Sequence, residues 1–387
     1  MIRLDNFKTK VSRGYARYAA PLGLSGLLVC FAGLLMAAGC RHEPARVFAN
    51  RAGPVFVSER ECAPCHSGPS KSCAASNHAL TLRAAGRAAM GALAPPAGQV
   101  PGPTYTVRDA GDHMRFATSA GSRAEKPCDL VFGAGKLGMT FVSLEPDNTL
   151  TELRMSWYPG RHTWYITPGQ ESLADNDPGE HNDIGSSRSC VGCHSVTVPG
   201  GSLLPDTEFF GVGCQSCHGP ASLHVAAARA GKLTGTHIDG FRGATATRIN
   251  EMCGKCHRRA AGVGTTGDEV TMTQRFQPYG LSQSPCFQKS GGKLSCITCH
   301  DPHANASTDQ RTYERACLGC HGAAAKPGTA SDRSRSSTRG YPVCPVNPHD
   351  KCIACHMPKR KVFPSSRIPI SMADHLIWAY SRERHIH

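Results

Sequence analysis

The stretch Ser189-Cys190-Val191-Gly192-Cys193-His194-Ser195, continued through a Gly/Pro-rich loop to Gly213-Cys214-Gln215-Ser216-Cys217-His218-Gly219-Pro220, decides the reading of this chain. It holds two copies of C-x-x-C-H. Two thiols separated by two residues can add to the two vinyl groups of one porphyrin, and the histidine that follows then lies under the iron. The pentapeptide is therefore the attachment signature of haem c. It recurs at Cys62–His66, Cys253–His257, Cys296–His300, Cys317–His321 and Cys352–His356. With 20 Cys and 19 His in 387 residues, random order gives about 0.05 such motifs. Zinc sites pair C-x-x-C with a second C-x-x-C or with two spaced histidines, and have no use for a histidine after every second cysteine.

The expected cofactor is haem c, seven copies, covalently attached. The attaching residues are Cys62, Cys65, Cys190, Cys193, Cys214, Cys217, Cys253, Cys256, Cys296, Cys299, Cys317, Cys320, Cys352 and Cys355. The proximal iron ligands are His66, His194, His218, His257, His300, His321 and His356. Intervals between successive motif starts from Cys190 onward are 24, 39, 43, 21 and 35 residues. The two short ones point to two close haem pairs, Cys190/Cys214 and Cys296/Cys317.

Haem c is attached outside the cytoplasm, and the N-terminus agrees. Arg3, Lys8, Lys10, Arg13 and Arg17 precede an apolar run from Pro21 to Ala38, the layout of a secretory signal. An uncleaved anchor is the alternative, because a run of about 18 residues reaches the lower limit for a spanning helix. Ala37-Ala38-Gly39-Cys40 resembles a bacterial lipobox with Ala37 where Leu is usual, which makes Cys40 the acylated first residue of a periplasmic, membrane-surface protein. The formal charge of +14 does not point to nucleic acid. The signal carries part of it, two propionates per haem offset the rest, and no aromatic-and-basic stretch offers base stacking. Of the other cysteines, Cys30 lies in the signal, and Cys73, Cys128, Cys286 and Cys344 are left either as free thiols or as up to two disulfides.

The chain divides into a signal (1–39), a tether (40–57), a first haem unit (58–98), a β-rich insert (99–186) and a six-haem domain (187–387). In the first unit His78, in Ser76-Asn77-His78-Ala79, reads as a distal ligand ahead of an Ala-rich helical stretch, with a surface histidine as the alternative. The insert has no motif. Thr104–Val107, Met139–Leu144 and Thr151–Tyr158 read as strands, with Pro146-Asp147-Asn148 as a turn. Six motifs then share about 170 residues, too few for a conventional apolar core, so the porphyrins must serve as packing material. Ala221–Ala230 and Ala246–Cys253 read as short helices, and Ala325–Gly340 as an exposed Ser/Arg-rich loop. The expected fold is mostly irregular and α, short helices around stacked haems, plus a small β-rich insert.

Further phrases carry a resemblance. They are Phe132–Thr140 (F-G-A-G-K-L-G-M-T), Trp164–Gly169 (W-Y-I-T-P-G), Cys214–Val225, Cys286–His303, Cys355–Lys359 (C-H-M-P-K) and Met372–Ile377 (M-A-D-H-L-I). From Glu59 to Ile377 the chain resembles the multihaem cytochromes c with doubled C-x-x-C-H motifs, a superfamily that includes the tetrahaem cytochrome c of ammonia oxidation. The resemblance implies bis-histidine haems with distal ligands from elsewhere in the chain: His78, His224, His303, His349 and His375, with His162, His181 or His237 for the remaining two. Many relatives continue into helical repeats; with the chain stopping at His387, no such partner-binding array is expected.

The expected function is periplasmic electron transfer between a quinol-oxidising or cytochrome donor and a terminal reductase or oxidase. The alternative is a multihaem oxidoreductase acting on a small nitrogen or sulfur compound at one open haem. The C-x-x-C-K motif of ammonia-forming nitrite reductases is absent, whereas a tyrosine-cross-linked haem stays open. A redox sensor or structural role is the third reading.

Overall fold

The structure is a computed structural model that describes residues 53–96, 98–99, 104–111, 113–118, 125–232, 237–258, 276–322, 341–362, 367–368 and 370–378. The expected signal, Cys30, Cys40, most of the tether and all of the Ser/Arg-rich loop lie outside these residues. Among the described residues no helix is long and apolar enough to cross a membrane.

Alternating apolar residues build a pair of stacked sheets. One has the order β1 (Leu82–Ala84), β6 (Leu130–Phe132), β7 (Met139–Leu144), β8 (Leu150–Tyr158) and β10 (Gly179–Asn182), with β9 (Thr163–Ile166) also pairing with β8. The other has the order β2 (Gly98–Gln99), β3 (Tyr105–Ala110), β4 (His113–Thr118), β5 (Lys126–Cys128). Neighbouring strands in both run antiparallel. The expected turn between β7 and β8 is present. Asn148 is left-handed at φ 66°, which Asn tolerates better than most residues, and the Asp147 side chain accepts from Thr149 N–H at 3.2 Å.

The period of two decides what each face of the larger sheet meets. Val131, Met139, Phe141, Leu153, Met155 and Trp157 face the smaller sheet and pack on Tyr105, Val107, Met114 and Phe116. Leu82, Leu130, Val142 and Leu150 face the other way and meet Val191 and Leu203. Val191 is fully buried and lies inside Cys190-Val191-Gly192-Cys193-His194. The sheet is thus the platform for the second motif, and burying each large apolar side chain is worth about 1.5–3 kcal/mol.

Two expectations need correction. The Ala-rich stretch after His78 is not a helix: Leu82–Ala84 is β1, paired with β6, and only Arg87–Met90 is helical. Gly86 interrupts the run, and burial of Leu82 against Leu130 outweighs the modest helix preference of Ala. The β part is also no small addition to a mostly α chain, since it runs from Leu82 to Asn182 and holds most of the buried apolar clusters. Beyond it come short helices, α1 (Ser67–Ala74) having preceded it: α3 (Ile184–His194), α4 (Cys214–His218), α5 (Ser222–Arg229) and α6 (Ala246–His257), where α2 is Arg87–Met90. Among the described residues, none between 211 and 361 enters a buried apolar cluster. A final ribbon, β11 (Lys359–Lys361) with β12 (Ser371–Ala373), is tied to the sheets by Val362, Ile368 and Tyr158.

Candidate haem sites

Each motif is a helical turn. The second closes α3, the third is α4, the fourth closes α6, the sixth closes the helix Arg311–His321 and the seventh is the helix Cys352–His356. The first and fifth are single turns in which His66 N–H donates to Cys62 C=O at 2.9 Å and His300 N–H to Cys296 C=O at 3.0 Å. Positions i, i+3 and i+4 share one face of a helix, so both sulfurs and the imidazole of every motif are offered to one side.

Tethers between distant segments fix these turns. The Glu59 carboxylate accepts from the first N–H groups of α4, Cys214 at 2.9 Å and Gln215 at 3.3 Å, the natural place for an acid on a helix. Asp183 caps α3 through Ser186 N–H at 2.7 Å. Asn250 of α6 accepts from Cys296 N–H at 2.9 Å and donates to Leu294 C=O at 3.3 Å, joining the fourth motif to the fifth. Neither Glu59, Gln215 nor Asn250 is signalled in the sequence, where each is one polar residue among many.

Four motif histidines each face a second histidine. His66 faces His224 at 6.4 Å between ring centroids, His257 faces His78 at 6.0 Å, His218 faces His303 at 6.4 Å and His300 faces His375 at 6.3 Å. A metal–imidazole bond is about 2 Å, which puts two rings on opposite sides of one metal about 6.3 Å apart. His78 and His257 are both reachable by solvent yet partly stripped of water by surrounding chain, as expected of rings lining a gap that a flat group can enter. The donor set, two sulfurs and two opposed imidazoles, fits haem c.

Tautomer and charge suit the same role. Nδ1 of His194, His218, His321, His356 and His375 lies 3.0, 2.7, 2.7, 3.1 and 3.0 Å from the carbonyls of Thr81, Asp239, Pro342, Trp378 and Ala373. An imidazole that donates from Nδ1 keeps the Nε2 lone pair for a metal. Burial, chiefly, pushes His375 down to about 4. Loss of water around the ring also holds His78, His257 and His300 below the ordinary range. All four are therefore neutral at pH 7.

The remaining candidates are placed otherwise. His349 and His237 are exposed, and no described ring contact sets either against a motif histidine. His162 is left-handed and packs on Trp157 at 6.2 Å, and His181 stands 3.9 Å from Asp147. His162 follows the turn Pro159–Arg161 between β8 and β9, and His181 lies in β10. Cys73, Cys128, Cys286 and Cys344 are free thiols.

Sulfur contacts give the motifs a spatial order that differs from chain order. Cys62 lies within 4.8 Å of Cys214. The thiols of Cys193 and Cys256 lie beside each other, as do those of Cys253 and Cys296. Burial and then the Cys253 thiol raise Cys217; burial and then the Cys352 and Cys299 thiols push Cys317 up to about 12. The row is therefore first, third, fourth, fifth, sixth, seventh, with the second beside the fourth. The close pair expected from the Cys296/Cys317 interval has its counterpart in Cys299 beside Cys317. Between Cys190 and Cys214 the loop folds back, and Gly211 N–H donates to His194 C=O at 3.0 Å, which sets the second motif beside the approach to α4. Ser195 bridges Phe210, Val196 N–H donates to Phe209 C=O and Val212 N–H donates to His78 C=O, which carries α4 toward the first motif.

No family model and no curated protein matches the chain. Among solved structures it is similar to the outer cell wall cytochrome OcwA, at 14% identity and a TM-score of 0.48, over 83% of this chain and 79% of that one. It is also similar to an undecahaem cytochrome from the S-layer of Carboxydothermus ferrireducens, at 16% identity and a TM-score of 0.41, over 79% of this chain and 51% of that one.

Proposed function

We propose that this chain is a seven-haem cytochrome c that carries electrons in the periplasm. The observation that carries the reading is the set of four histidine pairs at the spacing of two axial ligands. Haem c, when bound, supplies a one-electron iron couple. The residues do the rest. The motif cysteines from Cys62 to Cys355 would anchor the groups, and the paired imidazoles would hold the irons in both oxidation states. Carbonyls at Nδ1 fix ring orientation. The contiguous order of motifs supports transfer along a row rather than chemistry at one centre, and nothing in this role requires an acid, a base or a nucleophile. The donor is a quinol-oxidising protein or a cytochrome and the acceptor a terminal reductase or oxidase, with the chain held at the membrane surface through acylated Cys40.

The test is an intact mass of the mature protein together with its spin state. The expected result is seven haem masses above the polypeptide, low-spin ferric iron at the paired sites and no carbon monoxide binding there. A mass with six haems or fewer removes the count. Carbon monoxide binding by the wild type redirects the assignment to an oxidoreductase with an open haem.

A further inference from the structure

We infer that the outward face of the β11–β12 ribbon, beside the seventh motif, is a docking surface for an acidic redox protein. The inference rests on the reading of Cys352, Cys355 and His356 as a haem site. The helix Cys352–His356 packs on the helix that ends in the sixth motif, at the end of the row described above, so a partner that exchanges electrons with this end of the row approaches here.

The ribbon begins three residues beyond His356. Cross-strand partners share a face, and the register is Lys359 with Ala373, Arg360 with Met372 and Lys361 with Ser371. On the Arg360/Met372 face Met372 packs with Val362 and Ile368, and the exposed Arg360 is paired with Asp374 at 2.9 Å. The opposite face therefore presents Lys359 and Lys361, both exposed, over Ala373 and Ser371, which carry no charge. Among the described residues no carboxylate pairs with Lys359, Lys361 or the exposed Lys351.

An exposed aromatic belongs to the same region: Trp378 is 51% exposed. Trp378 C=O lies 3.1 Å from Nδ1 of His356, so the exposed indole belongs to the residue that orients the seventh motif's imidazole. A large aromatic amid unpaired cations is the usual make-up of a contact centre with a charged rim. The cations sit on a short ribbon beside a thioether cysteine, Cys355, that is itself exposed. An amphipathic helix, the usual membrane-surface element, is not what carries them. The surface thus fits a protein with carboxylates around its own redox centre.

The test uses the holoprotein with plant-type [2Fe–2S] ferredoxin, an acidic one-electron carrier, as the probe. Affinity is measured by calorimetry, and reduction of the haems is followed by stopped flow. Photoreduced lumiflavin serves as a small neutral donor, and anionic phospholipid vesicles as the competing surface. Raising ionic strength from about 0.01 to 0.15 M shortens the screening length from about 30 to 8 Å, so wild-type affinity for ferredoxin should fall. Lys359→Glu/Lys361→Glu should weaken ferredoxin binding and slow its electron transfer by about tenfold or more, with reduction by lumiflavin unchanged, and Trp378→Ala should weaken binding at all salt concentrations. Affinity indifferent to salt and to both variants overturns the inference. So does vesicle binding lost in the double variant while ferredoxin affinity stays, or a changed haem potential with ferredoxin affinity intact, which would assign the lysines to propionates. A chain without haem on the Cys352–Cys355 peptide overturns the underlying reading as well.

Discussion

Gln215→Met isolates the tie between the first and third motifs. Gln215 is the second residue of its motif and 2% exposed. Its Oε1 accepts from Val57 N–H at 3.1 Å and from Ala221 N–H at 3.0 Å, and its Nε2 donates to Val57 C=O at 2.6 Å and to Glu59 at 3.3 Å. Methionine fills a similar volume and restores none of these. An unmade hydrogen bond at a buried group costs about 1–3 kcal/mol, so the Ala221 N–H, which is buried, together with the half-buried Val57 groups sets an expected loss of about 3 kcal/mol. Guanidinium unfolding of the oxidised holoprotein, read in the Soret band and by far-ultraviolet circular dichroism, measures it. Ala221 leads into α5, which carries His224 to His66, so the same variant should show added high-spin iron. Gln215→Glu keeps both acceptor bonds but sets a carboxylate beside Glu59, and should recover stability as pH falls. A Gln215→Met loss below about 0.5 kcal/mol with an unchanged spin state would refute the argument.

His78→Ala, His224→Ala, His303→Ala and His375→Ala should each turn one haem high-spin and open it to carbon monoxide, read by electron paramagnetic resonance and absorbance; a variant that stays fully low-spin removes that residue from the axial set. Glu145 is partly desolvated, which alone would raise its carboxyl, but Lys126 and Thr151, at 2.7 and 2.5 Å, hold it below the ordinary range. A lowered folded pKa gives stability that is present above the unfolded value of about 4.3 and lost as pH falls through the folded one. Urea unfolding of the wild type should therefore weaken below about pH 4, and Lys126→Met should flatten that dependence. Gly211 has φ +80°, and a Cβ there would lie 2.1 Å from Ala79 C=O. Gly211→Ala should cost about 2 kcal/mol or more and disturb the His78/His257 haem, since the next residue holds His78 C=O; a normal thermal midpoint would count against this.

What the sequence disclosed depended on whether the chemistry is local. C-x-x-C-H is complete within five residues, and the i, i+3, i+4 face it needs is a single helical turn. The strands at Met139–Leu144 and Leu150–Tyr158 follow from alternation, and their turn from Asp147-Asn148. Leu82–Ala84 was hidden because its strand character comes only from β6, almost fifty residues later. The pairing of imidazoles was hidden for the same reason. His78 reaches His257 and His66 reaches His224 across most of the motif region, and an isolated histidine such as His349 looks no different from them.

The ligand pattern also accounts for how a long run with no apolar cluster among its described residues, from 211 to 361, can hold a fixed shape. Every second histidine follows a motif other than the one it faces. His224 comes after the third motif and faces the first, His303 after the fifth and faces the third, His78 after the first and faces the fourth, and His375 after the seventh and faces the fifth. An iron between each pair would therefore clip two segments that are remote in sequence. The entropy cost of bringing loop ends together grows only logarithmically with loop length, and a metal that keeps them together removes that freedom from the unfolded chain. Clips from residue 78 to 257 and from 66 to 224 close some of the longest loops available. They also overlap, so no single one can open without loosening its neighbours. On this reading the porphyrins replace the missing core and the crossed histidines replace its long-range contacts.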